Sequence, residues 1–327
     1  MNLKECRLLV TPTSYGKNDA RLKTDLEAQV GEVIYNPTGK PLTSAQVAEL
    51  LPGIDGYIAG LDGIDANALK AGDRLKVIAR YGVGVDSVDL VAARQRGIIV
   101  TNTPGANSVS VAELALGLML ALARQIPEAV EAVHQGKWPR YAGLSLEGKT
   151  VGILGLGAIG KQLARRLAGF DCRLLAHDPF GDPVVAKELH VQLTGLEEVL
   201  AQADFLSLHL PLLPETRSLV NGAFLGKMKK GSFLINTSRG SVVEEAALVD
   251  ALESKRIAGS GLDVFEFEPK VHSALRAMPH VVMTPHIGTA TGETRMAMAM
   301  LTADNLLAAL AGERPPNLVN PEVWGKG

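Results

Sequence analysis

The chain has 327 residues, of which 46% are hydrophobic, 21% charged and 4% aromatic. Its 33 basic and 35 acidic residues give a net charge of -2, so no positive excess predicts binding to nucleic acid or to an anionic membrane. The two cysteines, Cys6 and Cys172, lack CxxC spacing and indicate neither a disulfide framework nor a zinc site, so no metal is expected.

The N-terminal segment has too short an apolar run for a signal peptide, and the longest apolar stretch, 109–123, is interrupted by Glu113. These features predict a cytoplasmic protein without a membrane span. A chain of this length usually exceeds one hydrophobic core, so two domains with a cleft between them are expected.

Short runs rich in leucine or β-branched residues alternate with helical stretches, which is typical of parallel sheets built from crossover units. The strands predicted in the first hundred residues are 7–10, 57–59, 77–79 and 98–100. A buried helix is predicted from Ser108, with Ser110 and Glu113 in capping-box spacing. After the polar segment 135–148, six further strands are predicted at 150–154, 173–177, 205–209, 232–236, 261–264 and 281–284.

A final apolar helix is predicted at about Gly292–Ala311, where it could return the chain to the first lobe. The predicted fold class is therefore α/β. It has two doubly wound parallel-sheet domains of Rossmann-like or flavodoxin-like type, with an active-site cleft between the domains.

Residues 151–160 read VGILGLGAIG, so a predicted strand is followed directly by Gly155, Gly157 and Gly160 in G-x-G-x-x-G spacing. Glycine lets the backbone turn sharply and approach a pyrophosphate, whose charge is met by free amides at the next helix N-terminus. The spacing alone is weak evidence, because tight glycine turns without ligands are common. Asp178, eighteen residues after Gly160 at the end of the next predicted strand, strengthens the prediction of a dinucleotide site.

The acidic residue also bears on the choice of cofactor. Asp178 is expected to accept hydrogen bonds from the adenosine ribose and to repel a 2′-phosphate, and 179–182 contain no cation to offset that repulsion. NAD is therefore favoured over NADP. The alternative is that Asp178 only forms a turn before Pro179.

Three further polar residues, Arg239, Glu268 and His286, each lie at the end of a predicted strand. Parallel sheets bind ligands beyond those ends. Converting a 2-keto acid to a hydroxy acid needs a cation for the carboxylate, a donor that polarises the carbonyl, and an acid. Arg239 and His286 can supply these, while Glu268 would fix the imidazole tautomer and favour the charged ring. Taken singly, the three could be a surface ion pair, a solvated acid and a structural histidine.

The sequence resembles the D-isomer-specific 2-hydroxyacid dehydrogenases, and within them the 3-phosphoglycerate dehydrogenase-like branch, over nearly its whole length. The most specific segments are RYGVGVDSVDL (80–90), NTPGANSVSVAELALGLML (102–120), GKTVGILGLGAIG (148–160), HLPLLPETRSLV (209–220), INTSRGSVVEEAAL (235–248), GLDVFEFEP (261–269) and TPHIG (284–288).

The resemblance implies a discontinuous substrate domain, 1–102 with 286–327, and an NAD-binding domain at 103–285. It implies that Arg239 binds the substrate carboxylate and carbonyl, that His286 is the acid/base and that Glu268 is its partner. The further residues implied are Asp263 near the nicotinamide, Ala158 and Ile159 at the pyrophosphate, Leu210 and Pro211 at the adenosine, Thr237 and Ser238 at the nicotinamide ribose, Gly288 at the cofactor, and Val83, Gly84, Asn107 and Arg80 at the substrate.

Members of this family form dimers through their cofactor domains, so the resemblance implies a homodimer. The helix from Ser108 and the arm that contains Trp138 and Arg140 are the candidate interface. For Trp138, simple packing within the chain is the alternative.

The resemblance also bears on the substrate. Phosphoglycerate enzymes carry a basic residue in the loop after strand 57–59, where this chain has Ala59, and Asp62 and Asp65 make that loop acidic. Phosphoglycerate is therefore not expected as the substrate. The chain ends after NPEVWGKG, so a short form without a C-terminal regulatory domain is expected.

The remaining candidates are glyoxylate, hydroxypyruvate, D-lactate, or a larger acid reached by Ser14, Tyr15, Arg80 or the partner subunit's Arg140; the sequence does not rank them. Formate or phosphite oxidation is a minor alternative. An NADH-sensing binding protein of the corepressor type, or a catalytically silent relative, is the alternative from another class.

Overall fold

The computed structural model describes residues 2–325 and divides into two compact units. The first contains the residues up to Asn107 and those from Ala290 onward, and the second is Ser108–Thr289. Residues 103–107 thus belong with the first unit and 286–289 with the second, a few residues from the expected boundaries. The shift has a local cause, since the amide of Thr103 bonds the Gly82 carbonyl and the amide of Gly288 bonds the Asp263 carboxylate.

The first unit is built on a five-stranded sheet in which every pairing is parallel, with the order β2-β1-β3-β4-β5. This is the flavodoxin-like order, whose switch point lies between β1 and β3. The strands are β1 (Arg7–Val10), β2 (Glu32–Tyr35), β3 (Gly56–Ala59), β4 (Val77–Arg80) and β5 (Ile99–Thr101). The early helices are α1 (Arg21–Glu27), α2 (Ser44–Leu50), α3 (Ala66–Ala71) and α4 (Leu90–Gln95).

The second unit carries a seven-stranded parallel sheet with the order β12-β11-β10-β9-β6-β7-β8. Around β6 this is the Rossmann order, with its switch point between β6 and β9. The strands are β6 (Thr150–Leu154), β7 (Arg173–His177), β8 (Val191–Leu193), β9 (Phe205–Leu208), β10 (Ser232–Asn236), β11 (Ile257–Leu262) and β12 (Val281–Met283). The helices are α5 (Ser108–Ala123), α6 (Ile126–His134), α7 (Ala158–Leu167), α8 (Pro183–Glu188), α9 (Leu196–Gln202), α10 (Gly222–Lys227), α11 (Glu245–Glu253) and α12 (Ser273–Ala277). The predicted α/β class with two doubly wound parallel sheets is confirmed.

The last helix, α13 (Gly292–Ala311), belongs to the first unit, and its predicted bounds are correct. The Thr291 hydroxyl caps its N-terminus, and Gly312, with φ of 85°, ends it in the left-handed conformation that glycine adopts readily. Leu306 and Leu310 pack closely against Gly56 of β3, where a Cβ would lie 3.2 Å and 3.1 Å from their methyl carbons.

Two strands, β2 and β8, were missed by the sequence analysis, and both are edge strands. No residue of β2 is fully buried, and Gln192 in β8 is exposed. An edge strand pairs on one side only, so it needs fewer apolar residues and leaves a weaker pattern in the sequence.

The helix α5 is buried as predicted, but its expected capping box is wrong. The helix begins at Ser108, so Ser110 lies in its first turn and is 5% exposed. Glu113 instead forms an ion pair with Arg166 of α7 at 2.8 Å. Within 2–325 no single helix is both long and apolar enough to cross a membrane; the pair α5 and α6, bent by 63°, passes that test only together.

Candidate active site

The polar residues predicted for the cofactor and for catalysis follow the carboxyl ends of neighbouring strands in the second unit. Because all these strands are parallel, their carboxyl ends lie at one edge of the sheet. The residues gathered there are Gly155 after β6, Asp178 after β7, Leu210 and Pro211 after β9, Thr237, Ser238 and Arg239 after β10, Asp263 after β11, and His286 after β12.

The three glycines of the loop after β6 serve two different purposes. A Cβ on Gly155 would lie 2.6 Å from the His209 carbonyl oxygen, and one on Gly160 only 2.2 Å from the Gly155 carbonyl oxygen. These two glycines therefore allow close backbone packing. A Cβ on Gly157 would meet nothing within 4 Å, which leaves open space beside the loop.

The helix α7 starts at this loop with an N-cap, Gly157, that has no side chain to bond the first amides. Ala158 and Ile159 lie in the first turn, where helix geometry gives an amide no partner within the helix. Free amides at a helix N-terminus form a site for an anion such as a pyrophosphate.

Asp178 connects the end of β7 to the glycine loop. Its carboxylate accepts hydrogen bonds from the amides of Leu156 at 2.8 Å and Phe180 at 2.9 Å. The bond to the Phe180 amide forms the local turn that was the alternative role for Asp178. The bond to the Leu156 amide places the Asp178 carboxylate beside the glycine loop. A carboxylate can accept about four hydrogen bonds, so Asp178 can still accept from ribose hydroxyls.

The buried hydroxyl of Thr237 shows that this edge of the sheet fits a polar cofactor. Thr237 is 7% exposed, and its Oγ1 has no hydrogen-bond partner among the described residues. Burial without a partner disfavours a hydroxyl, so a polar ligand such as a ribose would satisfy it. Ser238 differs, since its hydroxyl bonds the Asn236 side chain at 2.8 Å. Together with the glycine loop and Asp178, the residues at this edge fit a dinucleotide.

His286 and Glu268 form a direct pair in which imidazole Nδ1 lies 2.8 Å from carboxylate Oε2. Their side chains are 28% and 33% exposed. The other carboxylate oxygen, Oε1, accepts the Phe265 amide at 3.0 Å. With Nδ1 bonded to the carboxylate, Nε2 is the ring nitrogen left for a substrate.

The pair changes the proton affinity of both groups. The hydrogen bond from Glu268 raises the pKa of His286 above its usual value of 6.5; burial and the charge of Arg239 oppose this, and the charges of Glu268 and Asp263 add to it. Burial by itself would raise the pKa of Glu268, but the bond and charge of His286, the Phe265 amide and the charge of Arg239 outweigh it and lower that pKa. Both shifts favour the charged form of the pair, in which the imidazole carries a proton that it can donate.

Asp263 supports the loop that carries His286. Its buried carboxylate accepts from the Thr284 hydroxyl at 2.6 Å and from the amides of Ile287 and Gly288, each at 2.8 Å. Its carbonyl accepts the His286 amide at 2.9 Å. These bonds hold His286 at φ of 53°, a left-handed conformation that residues other than glycine seldom adopt.

Asn236 was not among the predicted site residues, but it supports the segment that carries Arg239. It is fully buried at the end of β10; its amide nitrogen donates to the Arg239 carbonyl at 2.9 Å, and its oxygen accepts the Ser238 amide. The Arg239 guanidinium donates to the Ser238 carbonyl at 2.8 Å. In the sequence, Asn236 could have been found as a polar residue that ends a largely apolar strand.

The predicted substrate residues of the first unit form a short loop after β4. The Gly82 carbonyl accepts the Thr103 amide, the Val83 carbonyl accepts the Asn102 side chain, and the Gly84 carbonyl accepts the Arg80 guanidinium. Across residues 2–325, no hydrogen bond uses the amide of Val83 or Gly84 as its donor.

Two other predicted residues lie in the same unit. Arg80 is 4% exposed, and its Nη1 donates to the Ala59 carbonyl at 2.8 Å, so it shapes the loop after β4 from inside. Asn107, the last residue of the first unit before the division at Ser108, is 9% exposed.

The loop after β3 differs from its expected form. Ala59 is fully buried within β3, and the first residue after the strand with a large exposed side chain is Leu61. Asp62 is also fully buried; its carboxylate accepts from the Thr11 and Tyr57 hydroxyls and from the amides of Gly60 and Leu42.

Asp65 is exposed and caps α3 by accepting the Ala68 amide at 2.9 Å. The expectation that Asp62 and Asp65 together make this loop acidic towards a phosphate was therefore wrong for Asp62. Four donors hold its carboxylate inside the unit, and the local sequence does not reveal them.

The chain is similar to the members of one enzyme family. The family model described as D-isomer specific 2-hydroxyacid dehydrogenase, NAD binding domain, matches residues 116–288. This range runs from α5 through the glycine loop to the residues directly after His286. The chain belongs to the D-isomer specific 2-hydroxyacid dehydrogenase family, as its sequence predicted.

The chain is 44% identical to a glyoxylate reductase of Thermococcus litoralis over 80% of this chain and 82% of the relative. It is also 44% identical to a D-3-phosphoglycerate dehydrogenase of Mycobacterium bovis over 79% of this chain, but it spans only 49% of that protein. A solved NADPH-dependent glyoxylate/hydroxypyruvate reductase of Sinorhizobium meliloti is 34% identical, with a TM-score of 0.86 and 98% of each chain covered.

These matches confirm the predicted branch and reaction class: the protein is an NAD-dependent oxidoreductase of the 2-hydroxyacid dehydrogenase type. The relatives described above carry the names of reductases and dehydrogenases. They give no support to the corepressor alternative.

Proposed function

We propose that this enzyme uses NADH to reduce a small, non-phosphorylated 2-keto acid, with glyoxylate and hydroxypyruvate as the first candidates. The observation that carries the proposal is the 2.8 Å pair of His286 and Glu268 at the carboxyl edge of the NAD-binding sheet. The relatives named for glyoxylate and hydroxypyruvate reduction support this choice of substrate.

The loop after β3 also favours a substrate without phosphate. It follows a strand at the β1/β3 switch point, where doubly wound sheets bind ligands. Residues 60–64 read GLDGI, so this segment contains no cation to offset a phosphate. The buried residues Ala59 and Asp62 do not contribute to this preference.

In the proposed mechanism, NADH bound at the glycine loop and Asp178 would supply a hydride for the α-carbon of the substrate. Arg239 binds the substrate carboxylate and polarises the carbonyl. Val83, Gly84, Asn107 and Arg80 of the first unit stay predicted substrate residues, and Arg80 shapes the loop that carries Val83 and Gly84. His286 donates the proton on Nε2 to the carbonyl oxygen as it gains negative charge. Glu268 stabilises the imidazolium and keeps Nδ1 protonated before transfer.

The remaining predicted roles at this edge concern cofactor binding. Ala158 and Ile159 would hold the pyrophosphate, Asp178 the adenosine ribose, and Leu210 and Pro211 the adenosine. Thr237, Ser238, Asp263 and Gly288 would line the nicotinamide side, the last two also supporting His286. These assignments rest on the resemblance and on the positions of the residues after the strands.

We also propose a cytoplasmic homodimer formed through the cofactor units. Its support is a set of exposed apolar side chains in and after α6, since such patches commonly mark interfaces between subunits. The set comprises Ile126, Val130, Val133, Trp138 and Tyr141, with Trp138 82% exposed.

The test is to follow NADH absorbance with glyoxylate, hydroxypyruvate, pyruvate and 3-phosphohydroxypyruvate, with NADPH in parallel. Glyoxylate or hydroxypyruvate is expected to be reduced with the highest kcat/KM. His286→Gln is expected to lower kcat by roughly 10²–10⁴-fold while NADH still binds, because general acid catalysis contributes about that much. Preference for the phosphorylated acid would reject the proposed substrate, and a fully active His286→Gln variant would reject the mechanism.

A further inference from the structure

The segment that carries Glu268 makes close backbone contacts with the chain that leads from Arg239 to the start of α11. This segment, residues 264–272, leaves the end of β11 and leads to α12. A Cβ on Gly240 would lie 1.8 Å from the Phe265 carbonyl oxygen, so the chain beside Arg239 touches the backbone here and only glycine fits. The Ser241 hydroxyl also reaches the Glu266 carbonyl, at 3.4 Å.

Glu245, the first residue of α11, provides the polar part of this contact. Its Oε1 accepts the Glu266 amide at 2.9 Å, and its Oε2 accepts the His272 amide at 3.1 Å. In return, the Glu266 carboxylate accepts the Glu245 amide at 3.0 Å. One carboxylate therefore holds both ends of the segment in which Glu268 lies.

The burial of Glu245 shows that the contact is internal, since the residue is only 5% exposed. A carboxylate in the first turn of a helix is stabilised by the partial positive charge of the helix N-terminus and by amide donors. An amide side chain of the same shape would have one oxygen and one NH2 group. One of the two backbone amides would then face another donor and lose its acceptor.

The contact continues to the acid/base pair in two further bonds. Phe265, next to the Glu266 amide that Glu245 holds, donates its own amide to Glu268 Oε1 at 3.0 Å. Glu268 Oε2 then pairs with His286 Nδ1 at 2.8 Å. A displacement of the segment would therefore move the Glu268 carboxylate relative to the imidazole.

We propose that Glu245 is a positioning residue of this enzyme, whose carboxylate fixes the segment from Phe265 to His272 and so holds Glu268 against His286. It acts through Glu268 and does not itself touch the substrate. The inference rests on the proposed acid/base role of His286.

The experiment compares Glu245→Gln with Glu244→Gln in the full-length enzyme. Glu244 is the adjacent acid, is partly exposed and forms no capping hydrogen bond with its side chain, so it is a matched control. Three quantities are measured: the pH profile of kcat with glyoxylate and NADH, the dissociation constant of NADH, and the titration of the His286 ring by NMR, assigned by its absence in His286→Gln.

For Glu245→Gln, kcat is expected to fall roughly 10- to 100-fold, because small misplacements of catalytic groups have effects of that order. The charged groups that act on His286 are Glu268, Asp263 and Arg239, and only the first is displaced by the change. The alkaline limb of the profile and the ring titration should therefore both move to lower pH, as in Glu268→Gln. NADH affinity should stay within about twofold, since the glycine loop is untouched.

Glu245→Asp keeps both acceptor oxygens and should recover part of the loss. If Glu245→Gln does not fold, Glu266→Gln takes its place, because Glu266 is only half-buried and supplies the reciprocal bond; it should move the same limb by a smaller amount.

A folded Glu245→Gln or Glu266→Gln variant with an unchanged limb and an unchanged ring titration would overturn the inference. Full activity of His286→Gln would instead overturn the proposed mechanism. The two failures are distinguishable, because the ring titration needs no turnover.

Discussion

At the scale of single residues, the proposed acid/base role of His286, paired with Glu268, predicts how the rate depends on pH. Reduction requires the protonated imidazole, so the rate should hold at low pH and fall as pH rises through the raised pKa of His286. Oxidation of the hydroxy acid requires the neutral ring and should show the opposite dependence.

Glu268→Gln removes the main cause of that raised pKa. The alkaline limb of keto acid reduction is expected to move to lower pH, and kcat at neutral pH to fall about tenfold or more, because less of the ring is protonated. The measurement is kcat against pH for both proteins. Glu253→Gln, on the exposed end of α11, is the control, and an unmoved limb in Glu268→Gln would contradict the assigned pairing.

The proposed role of Asp178 is to favour NAD over NADP. The solved relative from Sinorhizobium meliloti is NADPH-dependent, so members of this family differ in this preference. Asp178→Asn removes the charge that repels a 2′-phosphate while leaving one oxygen for the amides of Leu156 and Phe180.

For Asp178→Asn, the ratio of NADPH to NADH affinity is expected to rise by about tenfold or more, equivalent to about 1.4 kcal/mol. NADH itself should bind more weakly, because one amide loses its acceptor. Fluorescence titrations with both cofactors provide the measurement. A wild-type protein that already prefers NADPH would refute the role given to Asp178.

At the scale of elements, the glycine loop contains one glycine that the fold requires, Gly160, and one that only cofactor binding is expected to require, Gly157. Gly160→Ala places a Cβ 2.2 Å from a backbone oxygen that cannot move aside, so unfolding free energy should fall by about 1–3 kcal/mol. Gly157→Ala places its Cβ in open space, and its stability should change by less than about 1 kcal/mol.

Both variants should lose NADH affinity, the first because the loop is distorted and the second because the Cβ occupies the space beside the free amides. Thermal unfolding without cofactor, followed by NADH titration, separates the two effects. Equal stability losses in the two variants would show that the backbone contact is not the cause.

The elements also show which parts of the fold a sequence reveals. All ten predicted strands are present, because strands such as β3 and β4 are buried on both sides and consist almost wholly of apolar residues. The edge strands β2 and β8 were not predicted, because they are partly exposed and have a weaker apolar pattern. The expected capping box was wrong because α5 begins two residues earlier, at Ser108, and Glu113 pairs with Arg166 of α7.

At the scale of the whole molecule, the proposed dimer is open to direct measurement. The chain has a mass of 34.6 kDa, so sedimentation equilibrium should report twice that value at micromolar concentration. Val130→Asp, on the exposed face of α6, is expected to shift the protein towards the monomer, because a buried unpaired charge opposes association.

Val91→Asp, on the exposed face of α4 in the other unit, is the matched control and should leave the dimer intact. A wild-type protein that sediments as a monomer, or equal dissociation in the two variants, would contradict an interface through the cofactor units.

The fold class, the glycine loop, Asp178 and the three residues proposed for catalysis could all be predicted from the sequence. These features depend on apolar periodicity and on residue types at fixed spacings after strands, and both are local properties of a chain. The folded chain was needed to show that four donors hold Asp62 inside, and that Asn236 and Glu245 support the segments beside Arg239 and Glu268. Their partners include backbone groups up to 27 residues away, and a sequence does not show which amides a folded chain brings to a carboxylate.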